Sequence, residues 1–174
     1  MRTKELKQED LEKFAEQFIL DLAVPSVLGL KGNLGRGKTT LVKSFIRALG
    51  VEEKVTSPTF NIVRTYKKEE LTIYHVDLYR LSSIHEFYDL DLPLNEEGTL
   101  FFIEWSDMIP ESKSKEWRFL DIEIVDELTR ESKILNMYKL SISTSGSFIS
   151  TCLHEEKLIG SLIFKSNKDQ QTYY

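Results

Sequence analysis

The residues best equipped for chemistry lie in GNLGRGKTT, residues 32–40, which satisfies the pattern G-x-x-x-x-G-K-S/T. A polyphosphate is densely anionic, and a glycine turn can offer it a row of backbone N–H groups with no Cβ in the way. Gly32, Asn33, Leu34, Gly35, Arg36 and Gly37 would form that cradle, and a following helix would add the positive end of its dipole. Lys38 would place an ammonium on the β and γ phosphates, the Thr39 hydroxyl would ligate Mg2+, and Thr40 completes the contact segment.

Such a loop also needs a carboxylate to hold the metal, usually where an adjacent apolar strand ends. Asp77 follows TIYHV and Glu104 follows LFFI. At the carboxyl ends of strands in an α/β sheet, both would face the edge that carries the loop. Lys38, Asp77 and Glu104 are therefore the candidate catalytic residues, and Thr39, Asp77 and Glu104 the candidate metal ligands. The guanine-reading pattern N-K-x-D is not met, because Asn167, Lys168, Asp169 and Gln170 misplace the acid, which favours ATP. The arginines at 2, 36, 47, 64, 80, 118 and 130 are well separated, whereas a phosphoryl-transferring lid clusters them. An ATPase is thus favoured over a small-metabolite kinase, and a non-hydrolytic nucleotide-dependent assembly module is the third reading.

Particular elements must position these groups. Residues 9–24 carry Leu11, Phe14, Ala15, Phe18, Leu22 and Ala23 at helical spacing, and Pro25 ends the run. Residues 27–30 read as a buried strand feeding the loop, and residues 38–49 as a helix closed at Gly50. Residues 60–66 and 71–79 read as two strands. The four residues between them, 67–70, are too few for a crossover, so the pair is an antiparallel hairpin. A weak helix is expected over 82–92, and further strands over 99–103, 119–125 and 133–140. His75 reads as a packed, hydrogen-bonded strand residue rather than a proton shuttle, and His85 as surface. The fold class is α/β: a P-loop NTPase fold with a central mixed sheet, flanking helices and a hairpin, followed by a C-terminal β-rich segment.

The whole composition agrees. The chain has 174 residues, 41% apolar and 29% charged, with 23 Lys and Arg against 28 Asp and Glu, a net charge of -5. An acidic balance argues against a broad grip on nucleic acid. The one cysteine, Cys152, cannot form an internal disulfide, and no run of about 18 apolar residues offers a membrane span. The N-terminus lacks the apolar core of a signal peptide, so the expected location is the cytoplasm, away from membranes.

Four ordered segments, GNLGRGKTTLVKSF, VTSPTFNIVRTY, IYHVDLYRL and FFIEWSDMIP, closely resemble the TsaE family, the small bacterial ATPase of the machinery that makes threonylcarbamoyladenosine (t6A) on tRNA. The resemblance spans most of residues 1–136. It implies ATP binding with Mg2+ and slow hydrolysis in support of a transferase. It implies partners similar to TsaD and TsaB, with tRNA met indirectly through the complex. By the same resemblance, Lys38 and Thr39 take the phosphate and metal roles and Asp77 is the acid of H-x-D-L-Y-R-L. Glu104 then holds metal, with Trp105 near the nucleotide. Thr56 and Ser57 belong to TSPTF, a segment that resembles a nucleotide-sensing switch, and Arg130 corresponds to a basic nucleotide contact. Asn33 and Arg36 depart from the family's usual Asp and small residue, making the loop more positive without removing a backbone donor.

Beyond residue 137 the character shifts. Residues 138–174 hold four Lys against three acidic residues and are rich in Ser, Thr and Ile. The segment resembles the opening β-meander of actin-like proteins, in particular the start of TsaB, with Ser143 where an Asp is expected. The expected division is an ATPase domain over 1–136 and a β-rich extension over 137–174.

Overall fold

The computed structural model describes residues 2–7, 10–110, 116–128 and 134–144. The element order is β1 (Arg2–Lys7), α1 (Leu11–Leu20), β2 (Ser26–Lys31), α2 (Lys38–Ala48), β3 (Val63–Lys68), β4 (Leu71–Asp77), α3 (Ile84–Asp89), β5 (Thr99–Glu104), β6 (Arg118–Leu128) and β7 (Ile134–Thr144). The strands form one seven-stranded sheet in the order β1-β7-β6-β2-β5-β4-β3. Its centre, β6-β2-β5-β4, is parallel, while β3, β7 and β1 pair antiparallel with their neighbours.

Parallel strands are covered on both faces, so they read as continuous apolar runs. β5 is the clearest case, with all six residues buried. Alternate side chains feed two cores. Leu100 and Phe102 join Leu28, Leu30, Ile73, Leu120 and Ile122 under α1 and α2. Phe101 and Ile103 join Val27, Val76 and Phe119 on the opposite face, beneath Leu78, Phe87, Ile109 and Trp117. In α2 the buried Leu41, Val42, Phe45 and Ile46 form a stripe that meets Leu11, Phe14 and Ala15 of α1. Phe45 stacks on Phe102 at 5.4 Å, pinning the helix to the strand whose end carries Glu104. Burying such a ring contributes about 1.5–3 kcal/mol.

Several elements depart from the sequence expectation: α1 ends at Leu20 rather than 24, β4 at Asp77 rather than 79, and α3 spans only Ile84–Asp89. β3 begins at Val63 rather than 60. The Pro58 carbonyl accepts from the amides of both Asn61 and Ile62 at 2.7 Å, so residues 58–62 close a turn before the strand starts. Ile62 completes it with φ of 64°. The hairpin ladder includes Lys67 and Lys68, which leaves a two-residue turn, with Glu69 at φ 52°. β1 has no counterpart in the sequence reading; its register pairs Arg2 with Ile142 and Lys7 with Met137 along β7. β7 runs from Ile134 to Thr144, so its pairing with β6 and β1 crosses residue 137. The expected strands beyond 144 lie outside the described residues. Among the described residues no helix is long and apolar enough to cross a membrane.

Candidate functional site

Parallel register decides what meets at the sheet edge. Leu30 of β2 lies beside Glu104 of β5, and Glu104 beside Asp77 of β4, so the loop and both carboxylates emerge at the carboxyl ends of three neighbouring strands. Side-chain alternation then selects the face. Ile73 and Phe102 point toward α1 and α2, which puts His75, Asp77 and Glu104 on the face where α2 begins.

The loop uses its glycines where a side chain is excluded. Gly32 has φ of 129°, and a Cβ there would stand 2.5 Å from the Ile122 carbonyl oxygen. Gly37 occupies the position before α2 at φ 87° and offers no side-chain cap, leaving the first N–H groups of the helix open to an anion. Lys38, the first residue of α2, is buried and turns back over the loop. Its Nζ donates to the carbonyls of Gly32 at 2.6 Å and Asn33 at 2.9 Å, and lies 3.7 Å from the centroid of the Trp105 ring. Burial pushes the Lys38 ammonium below the ordinary lysine range, while the carboxylates of Glu104, Asp77 and Asp107 pull it back up.

Each carboxylate is held at both oxygens. Glu104 accepts from the Thr39 hydroxyl at Oε2, 2.9 Å, and its Oε1 is 2.7 Å from His75 Nε2. Asp77 accepts from the Thr59 hydroxyl at Oδ2, 2.6 Å, and from the Tyr79 amide at Oδ1, 3.0 Å. Thr59 spends its hydrogen on Asp77, so the Ser57 hydroxyl, 2.6 Å away, supplies the hydrogen of that contact. Trp105 holds φ of 59°, an uncommon conformation for an aromatic residue, and packs on Tyr79 at 5.0 Å.

The structure thus brings together Lys38, Thr39, Asp77, Glu104 and Trp105, with Ser57 joined through Thr59. Thr56 is placed differently: its backbone N–H and C=O meet the Tyr66 hydroxyl, each at 3.3 Å, and its own hydroxyl is buried with no partner among the described residues. Leu34 stands exposed in the loop, the Arg36 amide bonds the Asn33 carbonyl at 3.3 Å, and the Thr40 carbonyl accepts from Ser44 at 3.3 Å. Arg130 lies outside the described residues. Thr59 and Tyr79 were not singled out from sequence. Thr59 sits inside TSPTF, where it could have been found; nothing local marks the Tyr79 amide.

A parallel sheet carrying a glycine loop between strand and helix, a lysine at the helix start and two acids on the adjoining strand ends defines the P-loop NTPase fold. The chain matches the family model described as "Threonylcarbamoyl adenosine biosynthesis protein TsaE" over residues 6–134, and it belongs to the TsaE family. It is 36% identical over 132 residues to the tRNA threonylcarbamoyladenosine biosynthesis protein TsaE of Rickettsia bellii, covering 75% of this chain and 92% of that protein. It is 40% identical over 90 residues to the protein of the same name from Bacillus subtilis, covering 52% and 56% respectively. The crystal structure of Bacillus subtilis YdiB shares the fold, with a TM-score of 0.61 and 24% identity over 84% of this chain and 88% of that one.

Proposed function

We propose that this chain binds ATP with Mg2+ at the P-loop edge and hydrolyses it slowly, supporting the transferase complex that makes t6A on tRNA. The carrying observation is the meeting of the Thr39 hydroxyl and the Glu104 carboxylate at 2.9 Å, beside Lys38 and in register with Asp77. One hydroxyl and two carboxylates are hard oxygen donors, and Mg2+ is usually held by one or two carboxylates together with substrate phosphates. The donor set fits that mode. Among the described residues no group of three or more His, Cys, Asp and Glu side chains forms a cage that could hold a metal on protein ligands alone.

Each residue then has a task. Backbone N–H groups from Gly32 to Gly37 and the open start of α2 hold the β and γ phosphates, and Lys38 moves from its loop carbonyls onto phosphate oxygens. Thr39, Glu104 and Asp77 are the groups that would hold Mg2+, which neutralises the charge that develops as water adds to the γ-phosphorus and ADP leaves. Ser57 and Thr59, tied to Asp77, connect that site to the TSPTF turn. Three of the described arginines point away from a clustered lid: Arg47 faces Glu12 at 3.6 Å, Arg118 donates to the Asp21 carbonyl, and Arg80 lies over Phe60. These three contacts are separate from one another, which supports an ATPase over a kinase.

The names of the relatives support the pathway, and proteins similar to TsaD and TsaB are the partners we infer, with tRNA reached through them. The test is t6A formation by those partners with and without this chain and ATP. Several rounds of modification per complex are expected only when both are present. Undiminished t6A formation without the chain would refute the reading, and phosphoryl transfer to a metabolite with no protein partner would favour the kinase.

A further inference from the structure

His75 is a costly residue for its position. It lies in β4 between β5 and β3, beside the buried Val76 and on the same face as the buried Ile73, and it is itself 0% exposed. A polar ring in such surroundings loses its water and must find a partner. It has one. Nε2 is 2.7 Å from Glu104 Oε1, while Nδ1 is buried with no hydrogen-bond partner among the described residues. A carboxylate can only accept, so Nε2 supplies the hydrogen of this contact.

The strand register explains the reach. Phe102 is the residue of β5 beside His75, and Glu104 lies two positions on, on the same face. The ring thus spans diagonally along the strands. Glu104 is only 3% exposed at its side chain, so water does not orient it. With Oε1 fixed on the ring, Oε2 is the oxygen presented to Thr39.

Resting on the nucleotide-binding reading above, we propose that His75 is a positioning residue for the metal–nucleotide site: its one hydrogen bond locks Glu104 so that Oε2 faces Thr39 and the cation held there. Partners that orient a metal-binding side chain in this way are worth about 10- to 100-fold in metal affinity. Phosphate binding by the loop, which does not pass through Glu104, is independent of the ring.

The experiment titrates a non-hydrolysable ATP analogue calorimetrically into the whole chain, with Mg2+ and with chelator, for wild type, His75→Phe and His75→Gln. His75→Phe keeps the ring volume and removes the donor; His75→Gln keeps a donor at the reach of Nε2. The expected result is unchanged affinity in chelator for all three. His75→Phe loses about tenfold or more of the Mg2+-dependent gain, and His75→Gln retains most of it. Equal Mg2+ dependence in wild type and His75→Phe, or an equal loss in both variants with and without Mg2+, overturns the proposal. A wild-type chain that gains nothing from Mg2+ overturns the nucleotide reading as well, a separate and recognisable outcome. Imidazole 15N spectra of the wild-type protein give a check that needs no variant: Nε2 is expected to carry a hydrogen, and a ring whose Nε2 is bare refutes the contact.

Discussion

The Thr59 hydroxyl donates to Asp77 across 2.6 Å, fastening the turn at residues 58–62 to the end of β4. The same carboxylate caps the 3-10 turn Leu78–Arg80 through the Tyr79 amide. Two segments that border the loop are therefore held by one side chain.

Thr59→Val removes that hydroxyl while keeping the volume. A hydrogen bond to a charged acceptor contributes about 1.5–3 kcal/mol, so urea unfolding should show a loss in that range. Asp77→Asn should weaken the same contact and also lower Mg2+-dependent nucleotide affinity, which Thr59→Val does not do directly. Equal effects of both variants on metal affinity would contradict this division of roles.

Lys38→Met should lower ATP-analogue affinity by about tenfold or more, since a charged hydrogen bond to phosphate is lost. It should also change the alkaline stability profile. Burial holds Lys38 below its ordinary value of 10.5 in the folded chain. Between the lowered folded value and 10.5 the unfolded chain binds more protons, so stability rises with pH across that window. In Lys38→Met that rise should be reduced, as read by denaturant unfolding at stepped pH.

Asp121 gives the acid-side counterpart. Its carboxyl is raised above the ordinary 3.8, chiefly by burial, with Lys31 opposing the shift. Between 3.8 and the raised value the folded chain holds more protons than the unfolded one, so this group's contribution to stability falls as pH rises through the window. Asp121→Asn should be stabilising at pH 7 relative to its effect well below 3.8. An identical effect at both pH values would contradict the shift.

Gly29 sits at the centre of β2 where a Cβ would stand 2.7 Å from the Phe119 ring and 2.7 Å from Ser106 Oγ. Gly29→Ala should destabilise by about 1–3 kcal/mol, the usual cost of overpacking a filled core. Phe119→Leu in the same chain should recover part of that loss.

The loop, the two acids and the elements around them were legible because each depends on a few contiguous residues: GNLGRGKTT, or an apolar run that ends in Asp or Glu. The His75–Glu104 contact was not, because it depends on how two strands 29 residues apart slide into register, and no local pattern states that. β1 stayed hidden for a different reason. RTKELK offers charges at most positions, and only Leu6 among its residues belongs to the described core. The start of β3 differs because Phe60, Ile62 and Val63 are all strand-favouring types, while the turn is set by the Pro58 carbonyl and a positive φ at Ile62.

The pairing of β1 with β7 sets an order on synthesis. The register that places Leu6 beside Tyr138 cannot form until residues 134–144 have left the ribosome. Until then the earliest strand has no neighbour, and β6 presents an open edge beside the completed α2, β2 and β5 layer. The loop and both acids lie on segments synthesised before β7, so the nucleotide edge can assemble before the N-terminal strand finds its partner, a contact of high sequence separation.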